Sequence, residues 1–199
     1  IIAGQITYTY DAVGNRLGRN STVTNILEKL YDYDMNDRSG SDSYDAAGNT
    51  VDAELTINHQ QSALSFAYDF ENRITSATSA VSVVQILYDG DGNRVAKTVT
   101  DGMGSRRTWF LVDDRNLTGY SQVLAELGTW NLELGTGAVT RAYTYGLDLI
   151  SQARYTSLIA EHSFYGYDGH GNVRCLTDTN GYITDTYDYD AFGTLIEQK

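Results

Sequence analysis

The sequence predicts an all-β protein built from antiparallel β-hairpins. A short motif, Tyr-Asp-x-x-Gly-Asn-Arg, recurs along the chain and has the composition of a tight turn between two strands. Sixteen of the 199 residues are tyrosines, which favour half-buried positions on a pleated sheet. Proline is absent, so the 19 glycines and the Asn and Asp side chains must build the turns.

The motif is complete at residues 10–16 and 88–94, and looser copies begin at Tyr33, Tyr44, Tyr68, Tyr167 and Tyr189. The opening tyrosines of most copies are about 20 to 24 residues apart, which is the length of one hairpin and its connection. The sequence therefore predicts strand, turn and strand at each copy. The residues assigned to these turns are Tyr10, Asp11, Gly14, Asn15, Arg16, Tyr44, Asp45, Gly48, Asn49, Tyr68, Asp69, Asn72, Arg73, Tyr88, Asp89, Gly92, Asn93, Arg94, Tyr167, Asp168, Gly171, Asn172, Tyr189, Asp190 and Gly193.

Each residue type of the motif has a role in a turn. Glycine supplies a backbone conformation with positive φ, and asparagine tolerates the same region. The aspartate accepts backbone N–H groups across the turn, and we expect the arginine three to five positions later to reach that carboxylate. The tyrosine ring packs along the sheet. Because one hairpin is only marginally stable, these hairpins must stack into a continuous sheet.

The motif lapses between Val95 and Tyr167, but the strand character does not. Residues 108–112 and 141–145 are β-rich runs bounded by Gly and Asp. Residues 120–127 are the only candidate for a short helix. No low-complexity linker interrupts the segment, so we expect one domain.

Charge and composition exclude several classes of protein. The net charge of −12 and the pI near 4.4 argue against a nucleic-acid partner. No run approaches the roughly 18 apolar residues that span a bilayer. The chain begins at Ile1 without a signal segment, which indicates a piece of a longer protein. The single Cys175 excludes an intrachain disulfide.

A search for catalytic residues finds no established pattern. His59, His162 and His170 form no metal-binding motif and are interpreted as surface or turn residues. Cys175 and His170 could form a nucleophile pair, but a lone Cys is more often a small core residue or an incidental thiol, and Cys175 is interpreted in that way. The sequence therefore predicts that the chain is not itself an enzyme.

The acidic residues were considered as binding groups. Residues 89–93 superficially resemble a calcium loop, but the glycine comes too early and no distal glutamate follows, so at most weak surface Ca²⁺ binding is expected. Asp188 and Asp190 are two positions apart and would share one face of a strand. They could serve a glycosidase only if another carboxylate faced them across a cleft. They are interpreted as solvated or turn-capping acids. No catalytic, cofactor or metal residue is assigned.

Beyond the motif, further segments resemble the bacterial RHS/YD (tyrosine-aspartate) repeat proteins, a family with toxin-complex shell subunits, polymorphic toxins and teneurins. The segments that carry the resemblance are 109–114, 117–123, 145–150, 168–174, 176–178 and 187–193. The resemblance implies a spiralling antiparallel sheet, solenoid-like or a partial shell, at the cell surface or outside the cell. It divides one array, 1–199, into repeats at 1–98, an irregular β segment at 99–163 and the start of a core-like region at 164–199. Because the chain lacks proline, the family's Asp-Pro self-cleavage site is absent.

These features predict a non-enzymatic structural or scaffold module of a secreted or cell-surface bacterial protein, part of a β-shell or a self-assembling filament. The alternatives are a glycan- or protein-binding module that uses the tyrosine-rich sheet face and, less favoured, a hydrolase. The expected partners are neighbouring repeats, identical chains, a glycan or a toxin cargo. No cofactor, nucleic acid or membrane span is expected.

Overall fold

The computed structural model describes residues 4–24, 26–57, 60–128, 138–156 and 159–199, which form strands and turns. The prediction of an all-β, antiparallel fold is confirmed, because these residues contain no helix and the strand pairs that they form are antiparallel. None of them forms a helix of the length and hydropathy that would cross a membrane. The chain forms two compact units, which we name the terminal unit (1–43 and 165–199) and the central unit (44–164).

Strands of the central unit pair in chain order, each hydrogen-bonded to the next. Their registers repeat the same arrangement: a strand runs to a tyrosine, a short turn follows and the next strand returns beside it. The strands are β5 (Thr50–Ile57), β6 (Gln60–Tyr68), β7 (Ile74–Thr78), β8 (Ser82–Tyr88), β9 (Arg94–Asp101), β10 (Gly104–Asp113), β11 (Gln122–Leu127), β12 (Val139–Tyr145), β13 (Leu149–Tyr155) and most of β14 (Ala160–Tyr167).

The terminal unit contains two groups of strands. The first group forms a three-stranded sheet of β1 (Ile6–Tyr10), β2 (Arg16–Ser21) and β3 (Lys29–Leu30). The second group follows β14 and consists of β15 (Val173–Thr177), β16 (Ile183–Tyr189) and β17 (Leu195–Gln198). The short strand β4 (Ser43–Tyr44) lies at the boundary between the two units in the sequence.

A register shift precedes the tyrosine of several repeats. It lies between Thr9 and Tyr10, between Ala67 and Tyr68, and again before Tyr88. The bulge leaves Tyr88 opposite Arg94, so a five-residue turn connects these two positions. Bulges of this kind bend a strand and re-aim its side chains. The motif therefore specifies a bulge and a turn together.

The buried core of the described residues is thin. Small side chains occupy its best-buried positions in the central unit, where Ala96 is 1% exposed and Ala125 and Ala153 are each 8% exposed. No large side chain among the described residues is fully buried. Backbone pairing and the turns must therefore supply much of the stability.

The expected strands at 108–112 and 141–145 lie within β10 and β12. The helix considered at 120–127 is wrong, because β11 occupies Gln122–Leu127 and pairs with both β10 and β12. An eight-residue helix is marginal alone, whereas the strand gains two ladders of hydrogen bonds and buries Ala125. Tertiary pairing therefore overrides the local helix propensity of this segment.

Candidate functional site

The recurrent turns have one common geometry, which Asp89 illustrates. Its backbone N–H donates to the carbonyl of Asn93 at 3.0 Å and its carbonyl accepts the N–H of Gly92 at 3.3 Å. Its Oδ1 accepts the N–H groups of Asp91 at 3.0 Å and of Asn93 at 2.8 Å, and the Asn93 side-chain amide donates to Oδ2 at 3.2 Å. The carboxylate of Asp89 therefore accepts two backbone N–H groups of the turn, and its backbone carbonyl accepts a third.

The same backbone ring closes the other six predicted turns, and each has a residue of positive φ at the third position after the aspartate. The structure adds an eighth turn of this geometry at residues 178–182, which the sequence analysis missed. Its aspartate follows Thr177 instead of a tyrosine. The spacing Asp-x-x-Gly, searched without the tyrosine, would have found it. The aspartates of the predicted turns are Asp11, Asp34, Asp45, Asp69, Asp89, Asp168 and Asp190.

The arginines of the motif do not all reach the turn carboxylate. Arg73 does, with its Nε 2.7 Å from Asp69 Oδ2, because it stands four residues after the aspartate. Arg16 and Arg94 stand five residues after theirs, and neighbouring residues of a strand point to opposite faces. Their guanidinium groups lie over aromatic rings instead: Arg94 lies 5.4 Å from the centroid of Phe110. In those turns an asparagine takes the place that we expected for arginine.

Three motif tyrosines link their turn to the preceding one. Tyr68 donates its hydroxyl to the carbonyl of Thr50 at 2.8 Å, and Tyr88 donates to the carbonyl of Ile74 at 3.0 Å. Tyr33 makes the equivalent bond to Arg16. Each acceptor is the first residue after the preceding turn, so the hydroxyl connects consecutive copies of the motif.

Side chains also connect the tips of consecutive turns. The Asn15 amide donates to Asp37 Oδ1 at 2.7 Å, and the Asn49 amide donates to Asn72 Oδ1 at 2.8 Å. Asp37 and Asn72 have φ values of 59° and 61° at the position that glycine takes in other copies. A side chain at this position costs strain but supplies an acceptor for the preceding turn. We call the hydroxyl links and these tip contacts together the turn ladder.

The turns lower the pKa values of their aspartates. The Asn49 side chain and backbone amides hold the pKa of Asp45 below its usual value, and the backbone amide of Arg73 does the same for Asp69. For Asp89 the largest cause of the lowered pKa is the backbone amide of Asn93. Hydrogen bonds donated to a carboxylate stabilise its charged form. The ionised aspartates are therefore part of the folded turns.

A second cluster, which we call the terminal cluster, lies within the terminal unit. The Asp190 side chain is fully buried, and its Oδ2 accepts the hydroxyl of Tyr8 at 2.9 Å and lies 3.6 Å from Arg19 Nη1. The Tyr8 ring meets Phe192 edge-on, with 4.8 Å between the ring centroids. Strand β1 thus contacts a turn that lies more than 180 residues later in the chain.

Arg16 completes this cluster through its guanidinium carbon, which lies 4.1 Å from the ring centroid of Phe192 and 4.4 Å from that of Tyr31. Its Nε and Nη1 are buried and have no hydrogen-bond partner among the described residues. Aromatic faces attract a cation, so the two rings hold this guanidinium in place.

The other candidate residues are the three histidines and Cys175. His162 is exposed on β14 and His170 is exposed in the turn after it, whereas His59 lies outside the described residues. Cys175 lies on β15 with its Sγ against the backbone of Gly166, and no hydrogen bond joins it to His170 in the described part of the chain. The geometry therefore does not assemble the considered nucleophile pair.

Acidic side chains are likewise committed to separate partners. Asp188 is exposed and accepts from Arg174 at 3.1 Å, whereas Asp190 is buried against Tyr8 and Arg19. The Asp89 carboxylate is occupied by its own turn. Across the described ranges, no three His, Cys, Asp or Glu side chains gather into a group that would hold a metal ion.

Comparison with known proteins gives no matching family model. Over 94% of its length, the chain is 33% identical to the tRNA3(Ser)-specific nuclease WapA of Bacillus spizizenii and 32% identical to the tRNA nuclease WapA of Bacillus subtilis strain 168. The chain spans 7% of the length of each of these relatives. This similarity extends along nearly the whole succession of Tyr-Asp turns. The chain belongs to the RHS/YD-repeat proteins.

Solved structures with similarity to this YD-repeat chain include the TcdB2-TccC3 complex, at 14% identity, and the same complex without its hypervariable C-terminal region, at 11% identity. The alignments cover 98% and 99% of the chain and 12% and 17% of those chains, with TM-scores of 0.37 and 0.33.

The relatives correct two predictions. The prediction of a non-enzymatic structural, filament or binding module is wrong, and so is the prediction that the chain is not an enzyme. The relatives that match 94% of the chain are named nucleases. The expectation that nucleic acid is no partner also conflicts with the tRNA in those names. The residues of a repeat turn report the geometry of a hairpin. They carry no information about the activity of the polypeptide to which the hairpin belongs.

Proposed function

We propose that this YD-repeat chain is a segment of a bacterial nuclease that cleaves tRNA. The observation that supports this most is the 33% identity to a tRNA-specific nuclease over 94% of the chain. Since the chain spans 7% of that relative, the activity belongs to the polypeptide that carries the segment. We propose that this polypeptide lies at the cell surface or outside the cell. We also propose that the array consists of repeats at 1–98, an irregular β segment at 99–163 and the start of a core-like region at 164–199.

A cation-rich strip on β9 and β10 supports contact with RNA. Although the chain carries a net charge of −12, Arg94, Lys97, Arg106 and Arg107 lie within 14 consecutive positions that contain one acid, Asp101. Arg106 is paired with that aspartate. Cations attract the phosphates of RNA, and this attraction makes binding dependent on salt.

Two cations of the strip lie beside an aromatic ring. Arg94 is exposed, and Arg94 and Lys97 lie 5.4 Å and 5.8 Å from the ring centroid of Phe110. A charged group beside an aromatic face is the combination that proteins use to hold a phosphate next to a stacked base. Arg106 and Arg107 are neighbours in β10 and point to opposite faces, so the part of the strip that we propose as the surface for tRNA is Arg94, Lys97 and Phe110.

Cleavage of tRNA tests the proposed activity. The longer polypeptide and the 199-residue chain are each incubated with total tRNA, and the products are separated on a denaturing gel. Discrete fragments from either protein support the proposal. Fragments from the short chain would place the catalytic groups within these residues, whereas fragments from the longer polypeptide alone would place them elsewhere. Intact tRNA with both proteins would overturn it.

The candidate surface is tested by reversing one charge in the longer polypeptide. Arg94→Glu should weaken tRNA binding and lower the slope of log affinity against log salt by about 1, because one phosphate contact is lost. Arg115→Glu is the matched control, since Arg115 is an exposed cation in the loop after β10. Binding is measured by fluorescence anisotropy with labelled tRNA. Equal effects of the two variants would exclude this strip.

A further inference from the structure

Five turns of the repeat use both oxygens of the aspartate within the turn. Oδ1 accepts backbone N–H groups, and Oδ2 accepts or pairs with the side chain four residues later. That side chain is an asparagine amide in four turns and the Arg73 guanidinium in one. These pairs are Asn15 with Asp11, Asn49 with Asp45, Arg73 with Asp69, Asn93 with Asp89 and Asn172 with Asp168.

The last turn departs from this pattern. Asp190 Oδ1 still accepts the N–H groups of Phe192 at 2.9 Å and Thr194 at 2.8 Å. The residue four positions later is Thr194, whose short side chain donates its hydroxyl to the Asp190 carboxylate but lacks the terminal amide that reaches Oδ2 in the other turns. Oδ2 instead accepts the Tyr8 hydroxyl at 2.9 Å and lies 3.6 Å from Arg19. The turn thus keeps its own backbone bonds and directs one oxygen at a remote strand.

Asp190 has a buried side chain that contacts residues of β1 and β2. Its side chain is 0% exposed and that of Arg19 is 13% exposed. Phe192 receives the Tyr8 ring on one edge, at an interplanar angle of 67°, and Arg16 lies over it at 4.1 Å. Of the described turn aspartates, Asp190 alone is buried. A charge buried in this way requires a partner, which Tyr8 and Arg19 supply.

We propose that the turn at residues 190–194 is an acceptor site for a non-consecutive repeat hairpin. The residue four positions after the aspartate determines the choice: asparagine or arginine closes the turn on itself, and threonine leaves one carboxylate oxygen for a remote donor. The occupant is a hairpin that presents a tyrosine on its first strand and two arginines, three positions apart, on its second. In this chain the hairpin of β1 and β2 is that occupant, through Tyr8, Arg16 and Arg19.

This acceptor role does not depend on the proposed nuclease activity, and a single substitution tests it in the 199-residue chain. Thr194→Asn restores the residue found in four other turns, so the amide takes Oδ2 and the Tyr8 contact is lost. Amide hydrogen exchange in β1 and β2 should accelerate at least tenfold, whereas exchange in β16 and β17 stays unchanged because their own turn remains closed.

Asn172→Thr is the matched control, since it makes the opposite change in the neighbouring exposed turn. It should leave exchange in β1 and β2 within about twofold of the wild-type rate. A double-mutant cycle of Tyr8→Phe and Asp190→Asn gives a second measurement: the two substitutions together should accelerate exchange no more than the stronger one alone. Unchanged exchange in Thr194→Asn, or independent effects in the cycle, would overturn the acceptor role.

Discussion

At the scale of single residues, the aspartate and the residue of positive φ determine each turn. The Asp45 carboxylate accepts the N–H groups of Ala47 at 2.9 Å and Asn49 at 2.8 Å, and these donors would otherwise lack a partner in the turn. The third position after the aspartate, here Gly48, has positive φ, which glycine adopts without strain. Where a side chain stands there, as at Asn72, it gains a contact with Asn49.

One glycine pair separates backbone strain from packing. Gly171 has a φ of 82° and Gly169, in the same turn, does not lie in this region, and a Cβ at either position would meet no atom within 4 Å. Gly171→Ala should therefore lower the free energy of unfolding by about 1 to 2 kcal/mol, the cost of a left-handed conformation. Gly169→Ala is the control and should change it by less than about 0.5 kcal/mol. Urea denaturation measures both, and equal losses would contradict the assignment to strain.

At the scale of the element, a hairpin such as the one that Tyr68 begins combines a bulge, a turn and a link to its predecessor. The register shift before Tyr68 accompanies a hydroxyl that reaches back to the carbonyl of Thr50, beyond the preceding turn. The sequence predicts that the tyrosine ring packs along the sheet, and the structure adds the acceptor of its hydroxyl. The spacing of the motifs predicted the hairpins, but the carbonyl that receives each hydroxyl depends on how consecutive hairpins pair.

Removal of one hydroxyl tests this link. Tyr68→Phe should reduce the free energy of unfolding by about 0.5 to 1.5 kcal/mol, because the Thr50 carbonyl loses its donor while the ring remains. Tyr10→Phe is the control, since Tyr10 is 50% exposed and its hydroxyl has no hydrogen bond among the described residues. The comparison uses urea denaturation at pH 7. A loss in Tyr10→Phe as large as that in Tyr68→Phe would count against the link.

At the scale of the whole molecule, stability depends on many similar local turns more than on one core. The best-buried side chain among the described residues is that of Ala96, which is 1% exposed, and no large side chain there is fully buried. Aspartates whose pKa values lie below the usual value recur in both units, from Asp11 to Asp190. Protonation of these aspartates therefore destabilises every hairpin that contains one.

This arrangement predicts a fold that is sensitive to acid. Because the turn aspartates have lower pKa values folded than unfolded, they stabilise the fold fully above the unfolded pKa near 3.9, and this stabilisation is lost as the pH falls through the folded pKa. The free energy of unfolding should therefore be constant from about pH 7 to 5 and decrease steeply below about pH 4. Urea denaturation at a series of pH values measures it.

A variant without one of these charges is the control for acid sensitivity. Asp45→Asn keeps an oxygen that accepts the backbone N–H groups of the turn but has no group that titrates. It should be less stable than the wild type at pH 7 and should lose less stability between pH 7 and pH 3. Equal losses in the two proteins, or a wild type as stable at pH 3 as at pH 7, would contradict this origin.

The hairpins follow from local sequence, because the bonds that close a turn join residues no more than four apart, as from Asp89 to Asn93. Long-range pairing instead makes Gln122–Leu127 a strand and brings Tyr8 and Arg16 to the turn of Asp190 and Phe192. Those outcomes depend on the path of the chain between distant residues. A local pattern encodes its own hydrogen bonds, whereas the partner of a buried charge is fixed by which strands the fold brings to it.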